Sequence, residues 1–393
     1  MSALSRIRVL DFGRFVAGPY CATLLADFGA DVIRIERRGG SEDREVAPVT
    51  DEGDGALFLQ INRNKRSLTL DPRIPAAKPV LRRLVESADV VVVNVPPSAL
   101  SKMGLDHPTL SAIRPDIILA NISSFGPVGP WAERPGFDSV GQAMCGSAYL
   151  SGPGEQPYRT PITWVDHASA VYAAFGVMLA LFERTATGRG QQVDTSLLGS
   201  ALAYSSTFLI EQALRQTNRT ALGNRGALNG PTDTFRTKDG WVVTQVVGPH
   251  LYRRWADLMQ EPEWLTDPRF SSDALRGENG ALLSERMGRW CAERTSGEAL
   301  EALGRASIPS APVLSPQEAL DHPQVQAMSL FTPTVVPGLD RPAPLARAPV
   351  GMSVTAQDIR RPPPRAGEHT DAILAELGFS ATEIEALRES AAI

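Results

Sequence analysis

Two aspartates stand where a carboxylate can do chemistry. Asp166 follows the short apolar stretch Pro161-Ile-Thr-Trp-Val165 and precedes a long apolar run that starts at about His167. At such an entry a carboxylate accepts backbone N–H bonds and stays ionised, which suits a nucleophile and equally suits a helix N-cap. Asp138, in Pro135-Gly-Phe-Asp-Ser139, is either a second carboxylate of that site or a turn residue. His167 faces another side of the helix from Asp166 and reads as a packed or surface imidazole. Metal chemistry has little raw material: no two of the five histidines lie within four residues of each other, and Cys21, Cys145 and Cys291 are widely spaced.

The turn Asp11-Phe-Gly-Arg-Phe-Val-Ala-Gly-Pro19 lacks the three-glycine spacing of a dinucleotide site, and Pro19 stands where a Walker loop has lysine. What is left is a helix N-terminus with free backbone N–H groups, or a plain strand-to-helix turn. Cations fall near several strand ends: Arg37 and Arg38, the run Asn62-Arg-Asn-Lys-Arg66, and Lys102. Either they converge on a polyanion such as the phosphates of a nucleotide, or they are scattered surface charges.

The elements that must hold these groups follow from hydrophobic spacing. Residues 7–12, 31–36, 89–94 and 116–122 are short β-branched runs, and 18–29, 72–87 and 98–113 between them have helical spacing or composition. Strands alternating with helices predict an α/β fold, a doubly wound parallel sheet whose strands end in Asp11, Glu36, Asn94 and Asn121. A long helix over 166–185, a strand over 191–194 and a helix over 196–214 complete a large domain spanning 1–216. A turn-rich linker at 217–231 leads to a smaller middle domain, α/β or α+β, at 232–312, which opens with a hairpin around Lys238-Asp-Gly240. Proline-rich residues 313–350 return the chain to the large domain, which 351–393 completes with a final helix over 381–390.

With 43% hydrophobic and 21% charged residues, the 393-residue chain has the composition of a soluble globular protein of two or three domains. A net charge of −5 without a long basic block argues against nucleic acid as a partner. The apolar run 168–182 is too short for a bilayer, so no membrane partner is expected. Residues 1–8 carry neither a secretory nor a transit pattern, and a cytoplasmic location with reduced thiols is the expectation.

Together these segments resemble the class III CoA-transferase family, the formyl-CoA transferase-like proteins, over essentially the whole chain. The resemblance is carried by Val9-Leu-Asp-Phe-Gly-Arg-Phe-Val-Ala-Gly-Pro19, Leu25-Ala-Asp-Phe-Gly-Ala-Asp-Val-Ile-Arg-Ile-Glu36, Asn62-Arg-Asn-Lys-Arg-Ser67 and Ala99-Leu-Ser-Lys-Met-Gly104. Ser123-Ser-Phe-Gly126, Thr187-Gly-Arg-Gly-Gln-Gln-Val-Asp194, Ile308-Pro-Ser-Ala-Pro-Val313 and Gly367-Glu-His-Thr-Asp371 follow in family order.

The resemblance implies a large domain built from both chain ends, a smaller middle domain, and a homodimer of interlocked subunits. It implies an acyl-CoA and a carboxylic acid as substrates, with coenzyme A as the carried group and no metal. Asp166 matches the family nucleophile, which forms an aspartyl mixed anhydride and then an aspartyl-CoA thioester. Asp138 matches the adjacent carboxylate. For CoA the resemblance points to Phe15, Ala17, Arg37, Leu70, Arg73, Asn94, Val95, Lys102, Met103 and Arg134. Trp164, Tyr149, Tyr158 and Arg159 are candidates for the acyl pocket or for packing.

Two departures bear on specificity. The α-methylacyl-CoA racemases of the family have a histidine before the residue matching Asp138 and a glutamate near Gly248, where this chain has Phe137 and Gly248. An acyl-CoA racemase or isomerase is therefore the alternative, short of both of its bases; a CoA-binding protein without turnover is the second. The consecutive glycines of formyl- and oxalyl-CoA transferases are also missing around Gly223-Asn-Arg-Gly226 and Gly230.

Overall fold

The computed structural model describes residues 2–51 and 53–393, which divide into two compact units. The first comprises the chain up to Cys145, Pro161–Ile210 and Met328–Ile393; the second comprises Gly146–Thr160 and Glu211–Ala327.

A strand buried on both faces reads as a near-continuous apolar run, as the four valines 90–93 do. In the first unit, β1 (Arg8–Asp11), β2 (Asp31–Glu36), β3 (Lys65–Thr69), β4 (Val90–Val93), β5 (Ile118–Ser123) and β6 (Gln192–Ser196) pair in the order β3-β2-β1-β4-β5-β6. All five pairings are parallel. Successive side chains leave opposite faces. Leu10, Ile33, Leu68, Val91 and Leu119 join one core with Val80, Leu84, Ile373 and Leu374, whereas Val9, Val32, Val90, Val92 and Ile118 join another with Cys21, Ala22 and Ala170. Each large aliphatic side chain buried this way contributes roughly 1.5–3 kcal/mol. The strand order reverses between β1 and β4, so a crevice opens at the carboxyl ends of those two strands.

Helices α1 (Ala17–Asp27), α2 (Ala56–Ile61) and α3 (Lys78–Ser87) connect the early strands. The helix expected over 98–113 is two: α4 (Pro97–Met103) and α5 (His107–Ile113). Gly104, with φ 67°, ends the first in a left-handed cap, and Asp106 starts the second by accepting a 3.1 Å bond from the Thr109 N–H. After α6 (Asp138–Met144) the chain passes through α7 (Ser147–Leu150), which belongs to the second unit, before α8 (Trp164–Thr187), followed beyond β6 by α9 (Leu197–Arg215), of which the residues up to Ile210 belong to the first unit.

Residues 161–163 form no strand, and α8 begins two residues before Asp166 rather than after it. The helix that carries the run 168–182 extends it to 24 residues, long and apolar enough by length and composition alone to cross a bilayer. Ten of its residues are nonetheless buried, on a face that packs against α1, β5 and β6.

The second unit holds a three-stranded antiparallel sheet of β7 (Thr232–Arg236), β8 (Trp241–Gln245) and β9 (Ser310–Pro312). Packed on it are α10 (Gly248–Met259), α12 (Gly280–Ala292) and α13 (Ser296–Arg305), sharing a core around Trp255, Leu283 and Leu303, with α11 (Asp273–Glu278) against α12. The expected hairpin is present, but because its strands are antiparallel the unit is α+β rather than α/β. Two short helices, α14 (Pro316–Asp321) and α15 (Pro323–Ala327), end it.

Back in the first unit, the ribbon β10 (Phe331–Thr334) and β11 (Ala343–Ala346) precedes α16 (Thr370–Glu376) and α17 (Ala381–Glu389). The segment Gly367-Glu-His-Thr370 covers the exposed edge of β3: the His369 N–H donates to the Ser67 carbonyl at 3.0 Å, and Thr370 Oγ1 accepts from the Thr69 N–H at 3.1 Å.

Candidate active site

A cavity of about 250 Å³ lies in the crevice where the strand order reverses. Its walls come from the loop after β1 (Arg14, Phe15, Val16, Ala17), the exit of β4 (Asn94, Val95, Pro96) and the end of β5 (Ile122, Ser123, Ser124). Pro135, Gly136, Phe137, Leu197 and Asp166 close it.

The loop after β1 is held by four side chains, from β1, β2, the exit of β4 and the helical turn 42–45 that follows β2. The Gly13 N–H donates to Asp11 Oδ1 at 2.8 Å, and Arg34 donates to the Gly13 carbonyl at 3.3 Å. Asn94 brackets the next peptide, accepting from the Arg14 N–H at 2.8 Å and donating to its carbonyl at 2.7 Å. The Phe15 N–H donates to Asp43 Oδ2 at 3.1 Å, and Asp43 is gripped by both oxygens on Arg34 at 2.8 and 2.9 Å. Phe15 is forced to φ 58°, a left-handed conformation costing a bulky residue about 1–2 kcal/mol. Its ring meets that of Phe137 edge-on, centroids 5.1 Å apart. Glycine is required nearby, because a Cβ on Gly18 would stand 2.9 Å from the Gly13 Cα.

Asp166 is the third residue of α8, within its first turn rather than at its cap. The N–H bonds expected for it go to Asp138 instead. Asp138 Oδ1 accepts from the Val165 N–H at 2.7 Å and the Asp166 N–H at 3.1 Å, while Oδ2 accepts from Gln142 Nε2 at 2.5 Å. The helix-cap residue Thr163 makes no such bond, so Asp138 caps α8 from α6. The Asp166 carboxylate, 8% exposed, accepts no hydrogen bond among the described residues. Burial first, and the charge of Asp138 second, push its carboxyl up to about 7. This reverses the expectation of a carboxylate kept ionised by backbone donors. His167 packs against the Tyr20 ring, centroids 4.8 Å apart, with Nδ1 2.7 Å from the Thr163 carbonyl, as expected of a packed imidazole.

Of the residues matched to CoA, Phe15, Ala17, Asn94 and Val95 share the cavity wall with Asp166. The others lie away from that wall. Leu70 is a core side chain, 1% exposed, and Met103 packs against the same core. Arg37 is exposed and donates to the Gly40 carbonyl at 2.8 Å. Arg73 is exposed and paired with Asp71, Lys102 is exposed, and Arg134 stacks on Trp131 at 4.2 Å.

The run 62–66 is not a phosphate site: Arg63 is buried on Asp27, Lys65 on Asp11, and Arg66 on Asp31 and Glu376. Cation counting missed this because the carboxylates come from strands and helices distant in sequence. Trp164 packs on Tyr204, whereas Tyr149, Tyr158 and Arg159 belong to the second unit. Sequence reasoning left out Arg34 and Asp43. A lone arginine inside the apolar strand 31–36 was the available signal for the first, since such a residue survives burial only when paired; Asp43 carried none.

Residues 4–370 match CoA-transferase family III. The succinyl-CoA–D-citramalate CoA-transferase of Chloroflexus aurantiacus is 34% identical over 323 residues, 81% of this chain and 80% of that protein. A formyl-CoA:oxalate CoA-transferase of Rhodopseudomonas palustris is 30% identical over 417 residues, spanning 100% of this chain and 97% of its own. Among solved structures, a CAIB/BAIF family protein from Brucella suis superposes with a TM-score of 0.83 at 29% identity, covering 96% of this chain and 99% of that one. With a family match over nearly its whole length and the fold of that family around a buried carboxylate, this chain belongs to the family III CoA-transferases.

Proposed function

We propose that the protein moves CoA from an acyl-CoA thioester to a carboxylic acid, with Asp166 as the covalent carrier. The observation that carries this reading is a buried carboxylate without hydrogen-bond donors, facing a cavity at the carboxyl ends of a parallel sheet. Ionised Asp166 attacks the thioester carbonyl and the C–S bond breaks, leaving a mixed anhydride and the CoA thiolate. The thiolate attacks the aspartyl carbonyl, releasing the first acid and storing CoA as an aspartyl thioester. The acceptor carboxylate then attacks that thioester, and the expelled thiolate takes the new acyl group, restoring Asp166.

A carboxyl near 7 suits both directions, because its basicity approaches that of a thiol of ordinary pKa about 8.5. Phe15, Ala17, Asn94 and Val95 border the reacting end, and the exposed cations Arg37, Arg73, Lys102 and Arg134 are assigned to the CoA phosphates. The names of the relatives make succinyl-CoA the first donor to assay. In exchange between succinyl-CoA and labelled succinate, Asp166→Asn and Asp166→Ala lose several orders of magnitude of activity while still binding CoA. Activity within about tenfold of the unaltered enzyme in either variant would overturn the assignment.

An interlocked homodimer belongs to the same reading. Opposite its buried face, α8 exposes Val171, Phe175, Met178, Leu179 and Phe182, the last 77% exposed. Apolar residues at this helical spacing need cover, and a second copy of the chain supplies it.

A further inference from the structure

We propose that Phe15 and Phe137 form a water-excluding gate over Asp166 that decides whether a covalent intermediate is transferred or hydrolysed. The proposal rests on Asp166 as the covalent carrier. Phe15 is the residue of the cavity wall with a left-handed backbone, a conformation that glycine adopts freely and phenylalanine resists. The protein nevertheless fixes it. Five successive polar groups, Gly13 N–H and carbonyl, Arg14 N–H and carbonyl, and Phe15 N–H, are each bonded by Asp11, Arg34, Asn94 or Asp43. Backbone strain persists only where its surroundings over-determine it, and here they do so with four side chains of which three are fully buried.

What the strain achieves is the position of one ring. Phe15, half-buried, meets Phe137 at an interplanar angle of 89°, and both rings line the cavity that holds Asp166. Phe137 is 57% exposed, so it is the outer member of the pair, with the Phe15 ring against it. Neither ring carries a group able to move a proton, and therefore neither serves the chemical steps themselves. Their common property is that they turn water away.

Exclusion matters here because both intermediates react with water. Water oxygen adding to the acyl carbonyl of the anhydride breaks the acyl C–O bond, returns the electron pair to Asp166 and gives its proton to the medium. The net result is thioester plus water going to carboxylic acid plus free CoA thiol, with no transfer. A dry pocket suppresses that branch without altering the carboxylate.

Two variants test the gate. Phe15→Gly removes the ring and relieves the strain, and Phe137→Ala alters an exposed side chain, so both retain the fold. With succinyl-CoA as probe, CoA thiol release without acceptor is compared with exchange into labelled succinate, and the Asp166 adduct is measured by mass spectrometry. The ratio of hydrolysis to exchange rises by about tenfold or more in each variant, and Phe137→Tyr restores it. A ratio within about twofold of the unaltered enzyme in both variants, with the adduct still forming, would overturn the gate. Absence of the adduct in the unaltered enzyme is a different failure: it removes the carrier itself, and the gate falls with it.

Discussion

Two clusters of buried charge lie in the same unit and are built in opposite ways. Beneath the loop after β1, three carboxylates, Asp11, Glu36 and Asp43, meet three cations, Lys65, Arg44 and Arg34, at 2.7, 2.8 and 2.8 Å. At the start of α8, Asp138 and Asp166 are buried beside each other, and burial together with Asp138 is what raises Asp166. In the first cluster every desolvated charge is answered at hydrogen-bond distance, and the result is a scaffold. In the second, one carboxylate takes the backbone donors and leaves its neighbour without any, so burial is uncompensated and the neighbour's carboxyl is pushed up. Charge that is buried and paired holds this protein's loop in place, whereas the buried and unpaired carboxylate is the one the proposed mechanism uses.

Breaking the paired cluster has the largest effect on stability. Lys65→Met removes the closer of the two cations on Asp11, leaving Arg34 at 3.8 Å, and also removes donors to the Pro19 carbonyl and Asn62, and denaturant unfolding is expected to show a loss of about 3–5 kcal/mol. A loss under about 1 kcal/mol would mean that the scaffold cluster is no more than surface-like.

The unpaired cluster responds with the opposite sign. The Asp166 carboxyl titrates near 7 in the folded chain against an ordinary 3.8. Well below pH 3.8 both folded and unfolded forms are protonated; as pH rises from there toward 7 the unfolded chain gives up its proton more readily, and the contribution to stability is lost. Asp166→Asn, which cannot ionise, therefore gains on the order of 2–4 kcal/mol over the unaltered enzyme at pH 8, and the gain shrinks as pH falls and vanishes well below 3.8, at about pH 2. Equal stability of the two proteins across that range would remove the repulsion on which the comparison rests.

The exposed cations should matter least. Arg37→Ala, Arg73→Ala and Lys102→Ala are each expected to weaken CoA binding by roughly twofold to tenfold in titration calorimetry, less at high salt. Unchanged affinity in all three would return them to solvated surface, where Arg73 already pairs with Asp71.

How far the sequence foretold these arrangements depended on whether a property was local. The valines 90–93 announce a strand buried on both faces, and 31–36 begins and ends where β2 does, because alternation and run length are written in adjacent residues. Gly104 was visible as well, yet its left-handed cap splits a span whose composition is helical throughout. Pairing across the fold was not legible. Lys65 and Asp11 are 54 positions apart, and neither residue discloses that the lysine is inside rather than reaching for a phosphate. In the same way Asp166 was found from its place before a long helix, but the diversion of its backbone donors to Asp138, 27 and 28 positions away, is a tertiary fact.

The central claim is that the unpaired carboxylate becomes covalently loaded. Incubating the protein with succinyl-CoA, quenching in acid and mapping peptides by mass spectrometry measures this directly, with hydroxylamine cleaving any aspartyl thioester to a hydroxamate. The account predicts CoA, or the hydroxamate after cleavage, on the peptide containing Asp166, and none on Asp138. Turnover of succinyl-CoA with no modification at Asp166, or with modification at another residue, would contradict it.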